Sequence, residues 1–258
     1  MYSSCGVNVD TPFGLETMDK RKTIMILGGT GEARQLAGRL VALGHDVTSS
    51  LAGRTAAPML PPGTVRIGGF GGAEGLAAFL REGGFTLLID ATHPFAARMS
   101  ANAVAASAAA GVPLIRIERP GWTPPAGAAW IEVDGMAQAA AALPEGARVL
   151  LTIGRQEIGA FAGRTDCTFV ARMIDMPPEV PAGWEILSAR GPFSVAEEMA
   201  LMKAQAITHL VSKNSGGDQA AAKLEAAMAL GVTVVMVRRP ALPAAESVAS
   251  VDEVLGRF

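Results

Sequence analysis

Runs rich in Val, Ile and Leu alternate with amphipathic segments over most of the chain, and glycine or proline separates each run from the next. An uninterrupted apolar strand is buried on both faces, as in a parallel sheet that helices cover on both sides. The alternation therefore predicts an α/β fold. The predicted strands lie at 23–28, 46–51, 65–67, 86–90 and 113–117, and then at 148–153, 168–172, 184–188, 207–212 and 232–237.

The segment after the first predicted strand has the pattern of a helix with one buried face. Its apolar residues recur at i, i+3, i+4, i+7 and i+8, which places them in a single stripe. They are Ala33, Leu36, Ala37, Leu40 and Val41.

The two halves of the chain resemble each other in sequence. Residues 111–120 align with residues 231–240, and each segment is an apolar strand that ends in Arg-Pro. A proline-rich stretch and a helix that begins with Val-Asp follow in both cases. Unless this similarity is due to chance, it predicts two Rossmann-like doubly wound parallel-sheet domains of similar topology, with a cleft between them. We place an N-terminal extension at 1–22, the first domain at 23–144 and the second at 145–258.

The overall charge does not favour nucleic acid or a membrane surface as a partner. Acidic residues outnumber Lys and Arg by 24 to 22, so the net charge of −2 provides no strong field for nucleic acid or a membrane surface. Arginine predominates over lysine, which reflects either a GC-rich genome or bidentate contacts to a polyanionic ligand. Cys5 and Cys167 lie far apart, so we expect no disulfide and no bound metal. We expect a cytoplasmic protein, since the sequence shows no signal-peptide pattern and no apolar run of membrane-spanning length. We also expect a monomer rather than an oligomer.

The first predicted strand runs into a glycine-rich turn that opens the helix. Because glycine permits close approach of the backbone and a helix N-terminus presents free N–H groups, such a turn is a potential phosphate site. The match to the dinucleotide motif GxGxxG is partial, since Arg34 stands where the third glycine belongs. The turn is therefore either a nucleotide site or only a tight connection. Its candidate cofactor-binding residues are Gly28, Gly29, Thr30, Gly31 and Glu32.

The end of the second predicted strand bears on the choice of cofactor. NAD enzymes usually carry an acid there, which holds the ribose 2′-hydroxyl. Here the strand leads without an acid to Gly53, Arg54 and Thr55, whose cation and hydroxyl suit a 2′-phosphate. Unless Arg54 is only a solvated loop residue, the predicted cofactor is NADPH rather than NADH.

The sequence DATHPFA at 90–96 follows the fourth predicted strand and so lies at the same edge of the sheet. Proline restricts the residue before it to extended conformations, which shapes the loop. We expect Asp90 to accept hydrogen bonds from backbone N–H groups of this loop. A lone histidine is also compatible with a structural role. Thr92, His93, Pro94 and Phe95 are nevertheless predicted to wall the nicotinamide pocket.

A second turn suited to anions, SKNSGG at 212–217, follows a strand of the second half and precedes a helix. It lacks the residue order of an ATP-binding P-loop. Its hydroxyls, glycines and lysine suit cofactor phosphates or substrate carboxylates, unless it is an ordinary β–α loop. Three arginines near strand ends are expected to converge on the cleft, namely Arg155, Arg172 and Arg190.

Seven motifs, taken in order, resemble those of one known family. They are GGTGEA (28–33), AGRT (52–55), DATHPFA (90–96), RIERPGW (116–122), TIGRQE (152–157), GPFS (191–194) and SKNSGG (212–217). With them, nearly the whole chain beyond the extension resembles the precorrin-6A reductases. The resemblance implies NADPH-dependent reduction of the C18=C19 double bond of precorrin-6A to precorrin-6B in cobalamin biosynthesis. It implies a hydride delivered to C19 and a proton delivered to C18.

The resemblance also suggests how the work is divided. The first domain would bind NADPH and the second the tetrapyrrole, whose many carboxylates would account for an arginine-rich cleft. The proton could come from His93, Lys213, Glu157 or water, and we take Lys213 and His93 as catalytic candidates. The candidate substrate-binding residues are Arg116, Arg119, Arg155, Arg190, Ser212, Lys213, Asn214, Ser215, Gly216 and Gly217.

The sequence also bears on two other functions. Short-chain reductases need Tyr-x-x-x-Lys, whereas the only tyrosine here is Tyr2, in the extension. An NADPH-binding sensor without turnover is the other alternative, but such proteins often lack a second domain with its own glycine turns. The sequence leaves open whether the macrocycle carries cobalt.

Overall fold

The computed structural model describes residues 21–53, 58–177 and 179–258. These residues form two six-stranded parallel sheets, each covered by helices on both faces, which confirms the predicted α/β, Rossmann-like class. Within the same ranges, no helix combines the length and the apolar character needed to cross a membrane.

All ten predicted strands are present, and two short strands are added to them. The strands are β1 (Thr23–Leu27), β2 (Asp46–Leu51), β3 (Thr64–Ile67), β4 (Leu87–Asp90), β5 (Leu114–Ile117), β6 (Trp130–Val133), β7 (Arg148–Leu151), β8 (Thr168–Met173), β9 (Glu185–Ser188), β10 (His209–Lys213), β11 (Thr233–Val237) and β12 (Glu246–Val248). The helices are α1 (Gly31–Ala42), α2 (Ala73–Glu82), α3 (Ala97–Ala110), α4 (Met136–Ala141), α5 (Val195–Ala204), α6 (Ala222–Leu230) and α7 (Val251–Leu255), with 3₁₀ turns at Ile158–Phe161 and Asp218–Ala220.

The two sheets have the same topology. The first has the order β12-β5-β4-β1-β2-β3 and the second β6-β11-β10-β7-β8-β9, so equivalent strands occupy equivalent places. The order reverses between β4 and β1 in the first sheet and between β10 and β7 in the second. Ligands of doubly wound sheets bind at such switch points, beyond the carboxyl ends of the strands. The turns that follow these four strands therefore flank the two places where the fold favours a ligand.

The sixth strand of each sheet comes from the other half of the sequence. β6 pairs with β11 in the second sheet, and β12 pairs with β5 in the first. The strands thus divide between the sheets at other points than the predicted boundary near Pro144. Residues 23–117 and 246–255 form the first unit, and residues 130–237 form the second. Because β6 and β12 are short, mostly exposed edge strands, they lack the apolar run that marks the other ten.

The helix after β1 buries the stripe that the sequence predicts. Ala33, Leu36, Ala37 and Leu40 are at most 4 % exposed, and Val41 packs against the same cluster. The last helix, α7, joins this cluster through Val251 and Val254, as its repeat equivalent α4 joins the core of the second sheet. Burying an aliphatic side chain fully contributes about 1.5–3 kcal/mol, so this stripe fixes the start of α1 against the sheet.

Candidate active site

The turn between β1 and α1 is held open by glycine and capped by threonine. Gly29 has φ +109°, a conformation that favours glycine, and a Cβ added there would meet no atom within 4 Å. The Thr30 hydroxyl accepts a hydrogen bond from the N–H of Ala33 (3.1 Å) and donates one to the carbonyl of Ala91 (2.8 Å). The turn after β1 is thereby fastened to the turn after β4, with the open side of Gly29 free for a ligand.

The acidic residue of this turn is neutralised by an arginine of the segment between β5 and β6. Glu32 lies in the first turn of α1, where it would repel a phosphate. The guanidinium of Arg119 forms an ion pair with it and also donates to the carbonyl of Ser215 (2.7 Å). Arg119 therefore leaves the first turn of α1 suited to an anion and connects it to the 212–217 turn.

Part of the predicted 2′-phosphate site lies outside the described residues. Gly53 follows β2 with φ +72°, at the carboxyl edge of the first sheet where the sequence predicts it. Arg54 and Thr55 are not among the residues that the structure describes. Their contact with a 2′-phosphate stays a prediction.

The loop after β4 is organised by a buried carboxylate. Asp90 is 1 % exposed and accepts hydrogen bonds from the N–H and the hydroxyl of Thr92, which confirms the predicted capping of this loop. Its other oxygen pairs with Arg116, which is 4 % exposed and also donates to the carbonyl of Pro243. The side chain of Arg116 is thus held in this buried pair, and its predicted contact with substrate stays a prediction.

The turn at 212–217 is fastened to the segment that leads from β5 to β6. The side-chain amide of Asn214 donates to the carbonyl of Trp122 and accepts from its N–H, both at 2.8 Å, and the Trp122 indole donates to the carbonyl of Gly217. Gly216 has φ +65°, and a Cβ there would lie 2.1 Å from the carbonyl oxygen of Pro120. An amide at 214 and a glycine at 216 thus allow the turn to pack closely against the crossover, the segment between β5 and β6.

Most polar atoms of this turn are therefore used within the protein. Ser212 is fully buried, and the carbonyl of Ser215 accepts from both Arg119 and Arg239. The Ser212 hydroxyl is buried and the Asn214 amide is already paired. The predicted substrate contacts of Ser212, Asn214 and Ser215 stay predictions. Lys213 is different, since its long side chain leaves the turn.

Three of the four proton-donor candidates come together where the two units meet. The ammonium of Lys213 forms an ion pair with Glu157 and lies 5.2 Å from the centre of the Phe95 ring. Phe95 follows His93 in the first unit and packs against the core of the second. Glu157 follows β7 and Lys213 ends β10, so the pair spans the switch point of the second sheet. The site thus joins two of the proton-donor candidates, Lys213 and Glu157, to the loop predicted to wall the nicotinamide.

The imidazole of His93 is neutral at physiological pH. Burial, followed by the charges of Lys213, Arg119, Lys223 and Arg239, lowers its pKa from 6.5 to about 3. Its Nδ1 accepts a hydrogen bond from the N–H of Phe95 (3.3 Å), which leaves the proton on Nε2. His93 can therefore orient a group as a hydrogen-bond donor, but it carries no imidazolium proton to transfer.

We expect the His93 imidazole to stay neutral from pH 8 to pH 5. The unfolded chain binds a proton near pH 6.5 that the folded chain binds only near pH 3, so His93 lowers stability as the pH falls through this window. Histidine ring ¹⁵N NMR over this range measures it directly, since the chain has 3 histidines. His93→Gln assigns the signal, and a midpoint near 6.5 for that signal would contradict the expectation.

The arginines predicted to converge on the cleft have different surroundings. Arg172 makes a bidentate ion pair with Glu198, with side chains 9 % and 3 % exposed, and it stacks on Phe193. Its predicted position in the cleft is corrected, because its charge is compensated within the second unit. Arg155 is partly buried at the turn after β7 and donates to the carbonyl of Met176, and Arg190 is exposed after β9.

Three residues of this region were missed by sequence reasoning. Trp122 and Arg239 hold the crossover segments against the 212–217 turn, and the Arg-Pro repeat was the signal that could have found Arg239. Lys223 lies on α6, 9 % exposed, with its ammonium 5.5 Å from the centre of the Trp122 ring. A single lysine in a helix carries no sequence signal of burial.

Comparison with known proteins identifies the family. The profile described as "Precorrin-6x reductase CbiJ/CobK" matches residues 23–258. Proteins named precorrin-6A reductase from Rhodococcus erythropolis and Rhodobacter capsulatus are 52 % and 46 % identical, each over 90 % of this chain and 94 % of their own. The solved structure "CobK precorrin-6A reductase" superposes with a TM-score of 0.86 at 46 % identity, over 91 % of this chain and 94 % of that one. The chain is therefore an oxidoreductase that belongs to the precorrin-6x reductase family CbiJ/CobK.

Proposed function

We propose that this protein uses NADPH to reduce the C18=C19 double bond of precorrin-6A, which gives precorrin-6B in cobalamin biosynthesis. The observation that carries the proposal is the family membership. Beside it stands an open glycine turn that is fastened to the loop after β4, whose Phe95 ring lies 5.2 Å from the Lys213 ammonium of the other unit. The first unit would bind the cofactor and the second the macrocycle.

The residues around the β1–α1 turn fit the diphosphate of a dinucleotide. The first-turn N–H groups of a helix lack partners inside the helix, and the open side of Gly29 leaves room for approach. Arg119 compensates the charge of Glu32 beside them. When bound, NADPH would supply the hydride. The loop at 92–95, whose Phe95 ring lies 5.2 Å from the Lys213 ammonium, would hold the nicotinamide.

Lys213 is our candidate for the proton donor at C18. Reduction adds a hydride at C19, and the carbanionic character that develops at C18 takes up a proton. An ammonium held by Glu157 and the Phe95 ring is positioned for this transfer. His93, as a neutral imidazole, contributes a hydrogen bond and excludes water. Glu157 orients the lysine.

The same comparisons favour a macrocycle without cobalt. The relatives named precorrin-6A reductase are 45–52 % identical to this chain. Those named cobalt-precorrin-6A reductase are 26–30 % identical, the first from Priestia megaterium at 30 % over 90 % of this chain. Rates of NADPH oxidation with precorrin-6A and with cobalt-precorrin-6A measure the preference, and a faster reaction with the cobalt form would contradict it.

Turnover separates the enzyme from the sensor. We expect NADPH absorbance to fall in proportion to added precorrin-6A, with precorrin-6B as the product. NADPH binding without oxidation, in the presence of precorrin-6A, would support the sensor instead. Deuterium from [4-²H]NADPH is expected at C19, and deuterium from D₂O at C18. Deuterium from NADPH at C18, or deuterium from D₂O at C19, would overturn the assignment of hydride and proton.

We expect the wild-type protein to bind NADPH more tightly than NADH, and Arg54→Ala to remove most of that difference. Loss of a charge-assisted contact to the 2′-phosphate should raise the Kd for NADPH about 10- to 100-fold and leave that for NADH unchanged. Titration by nucleotide fluorescence measures both values. Arg81→Ala is the matched control, since Arg81 lies in the last turn of α2, away from the glycine turn. Equal affinities of the wild-type protein for NADPH and NADH would contradict the assignment of NADPH as the cofactor.

A further inference from the structure

One buried cation at the meeting of the two units has no acidic partner. Four cations lower the pKa of His93, namely Lys213, Arg119, Lys223 and Arg239. Lys213 pairs with Glu157 and Arg119 with Glu32, while the guanidinium of Arg239 is used by backbone carbonyls. For Lys223, the described part of the chain offers no carboxylate within ion-pair distance.

The surroundings of Lys223 do not compensate its charge. The residue is 9 % exposed, and the face of the Trp122 ring is its favourable contact. Glu198 attracts it, but that carboxylate is already held by both arms of Arg172, which repels the ammonium. Lys223 also lies in the first turn of α6, the end of a helix that disfavours a cation. A buried ammonium in such a place is costly unless an anion joins it.

We propose that Lys223 binds a carboxylate of the macrocycle's peripheral side chains, and so helps to fix the position of the substrate. The inference rests on the proposed function, because it takes the polycarboxylate substrate from there. A carboxylate would supply the missing acidic partner.

The substrate is a better occupant than the cofactor. The contacts of Lys223 belong to the second unit and to the crossover, through Trp122, Arg172 and Glu198. The contacts of the glycine turn that receives the diphosphate run instead through Arg119 to Ser215. The two anion sites thus lie on different elements.

The electrostatics adds a second readout. Burial lowers the pKa of Lys223 from 10.5 to about 8. Repulsion from Arg172 adds to this shift, and attraction to Glu198 opposes it. The free protein therefore carries this charge below pH 8 and loses it as the pH rises through that value. Binding of a carboxylate should weaken over the same range, since only the charged form attracts it. Arg172, Glu198 and His93 are the titratable groups that face Lys223.

The test measures binding of precorrin-6A in the presence of NADP⁺, which carries no hydride, so that affinity is read without turnover. Lys223→Met should raise the Kd for precorrin-6A about 10- to 100-fold and abolish the weakening above pH 8, while Lys223→Arg should retain part of the affinity. The Kd for NADPH should not change. Lys203→Met, at an exposed lysine on α5, is the matched control.

Stability separates a binding role from a structural one. Methionine keeps the apolar stem and removes an uncompensated charge, so Lys223→Met should unfold at the same temperature as wild type or higher. A lower Tm, unchanged precorrin-6A binding, or weakened NADPH binding would each overturn the inference. Failure of the wild-type protein to oxidise NADPH with precorrin-6A would instead contradict the proposed function, which distinguishes the two failures.

Discussion

Replacing Lys213 by methionine is expected to lower kcat about 10²- to 10⁴-fold and to leave the affinity for NADPH unchanged. Lys213 ends β10 at the carboxyl edge of the second sheet, where its ammonium lies between Glu157 and the Phe95 ring. Methionine preserves the packing against Phe95 and removes the proton that we assign to C18. The measurement is NADPH oxidation with both NADPH and precorrin-6A at saturation.

Two further variants sharpen this experiment. Lys203→Met makes the same chemical change at an exposed site and should behave as wild type. Glu157→Gln keeps Lys213 but removes its acidic partner, so kcat should fall less than in Lys213→Met. If Lys213 only binds substrate, KM will rise while kcat is retained. A kcat near the wild-type value in Lys213→Met would clear the residue of a role in proton transfer.

Glu198→Leu is expected to lower the free energy of unfolding by about 3–5 kcal/mol. The carboxylate of Glu198 is 3 % exposed and accepts from both arms of Arg172. Removing it leaves the Arg172 guanidinium buried without a partner and close to the charge of Lys223, which raises the cost. Urea unfolding followed by tryptophan fluorescence measures the change.

The double variant shows whether the loss comes from the unpaired charge. Arg172→Met together with Glu198→Leu removes both charges and fills similar volume, so we expect it to recover most of the lost stability. The exposed pair Arg39 and Asp252 provides a control, since removing Asp252 should cost at most about 1 kcal/mol. A double variant as unstable as Glu198→Leu alone would contradict the argument.

The apolar pattern was sufficient to predict the class of fold. A run such as 24–27 is buried on both faces because a parallel sheet has helices on both sides. Such a strand therefore appears in the sequence as consecutive apolar residues. The buried stripe of α1 was predictable for the same reason. The internal repeat predicted two sheets of one topology, which the strand orders confirm.

The exchange of edge strands was not predictable from that pattern. β6 and β12 follow the same Arg-Pro signal, and each is a short strand with one side toward solvent. Nothing local to 130–133 specifies pairing with β11 rather than with β5, because the choice depends on how the crossover segments pack. Arg119, Trp122 and Arg239 hold these segments in place through contacts with residues distant in sequence.

The candidate site, like the fold, was predictable from the sequence only in part. The sequence by itself determined where candidate groups stand, because strand ends in a parallel sheet meet at one edge, and it therefore predicted Thr30, His93 and Lys213 near ligands. Only the tertiary structure decided which charges are already compensated. Arg116 and Arg172 are paired with acids far along the chain, whereas Lys223 is buried without one. Burial and charge pairing depend on neighbours brought together by folding, so the order of residues alone does not reveal them.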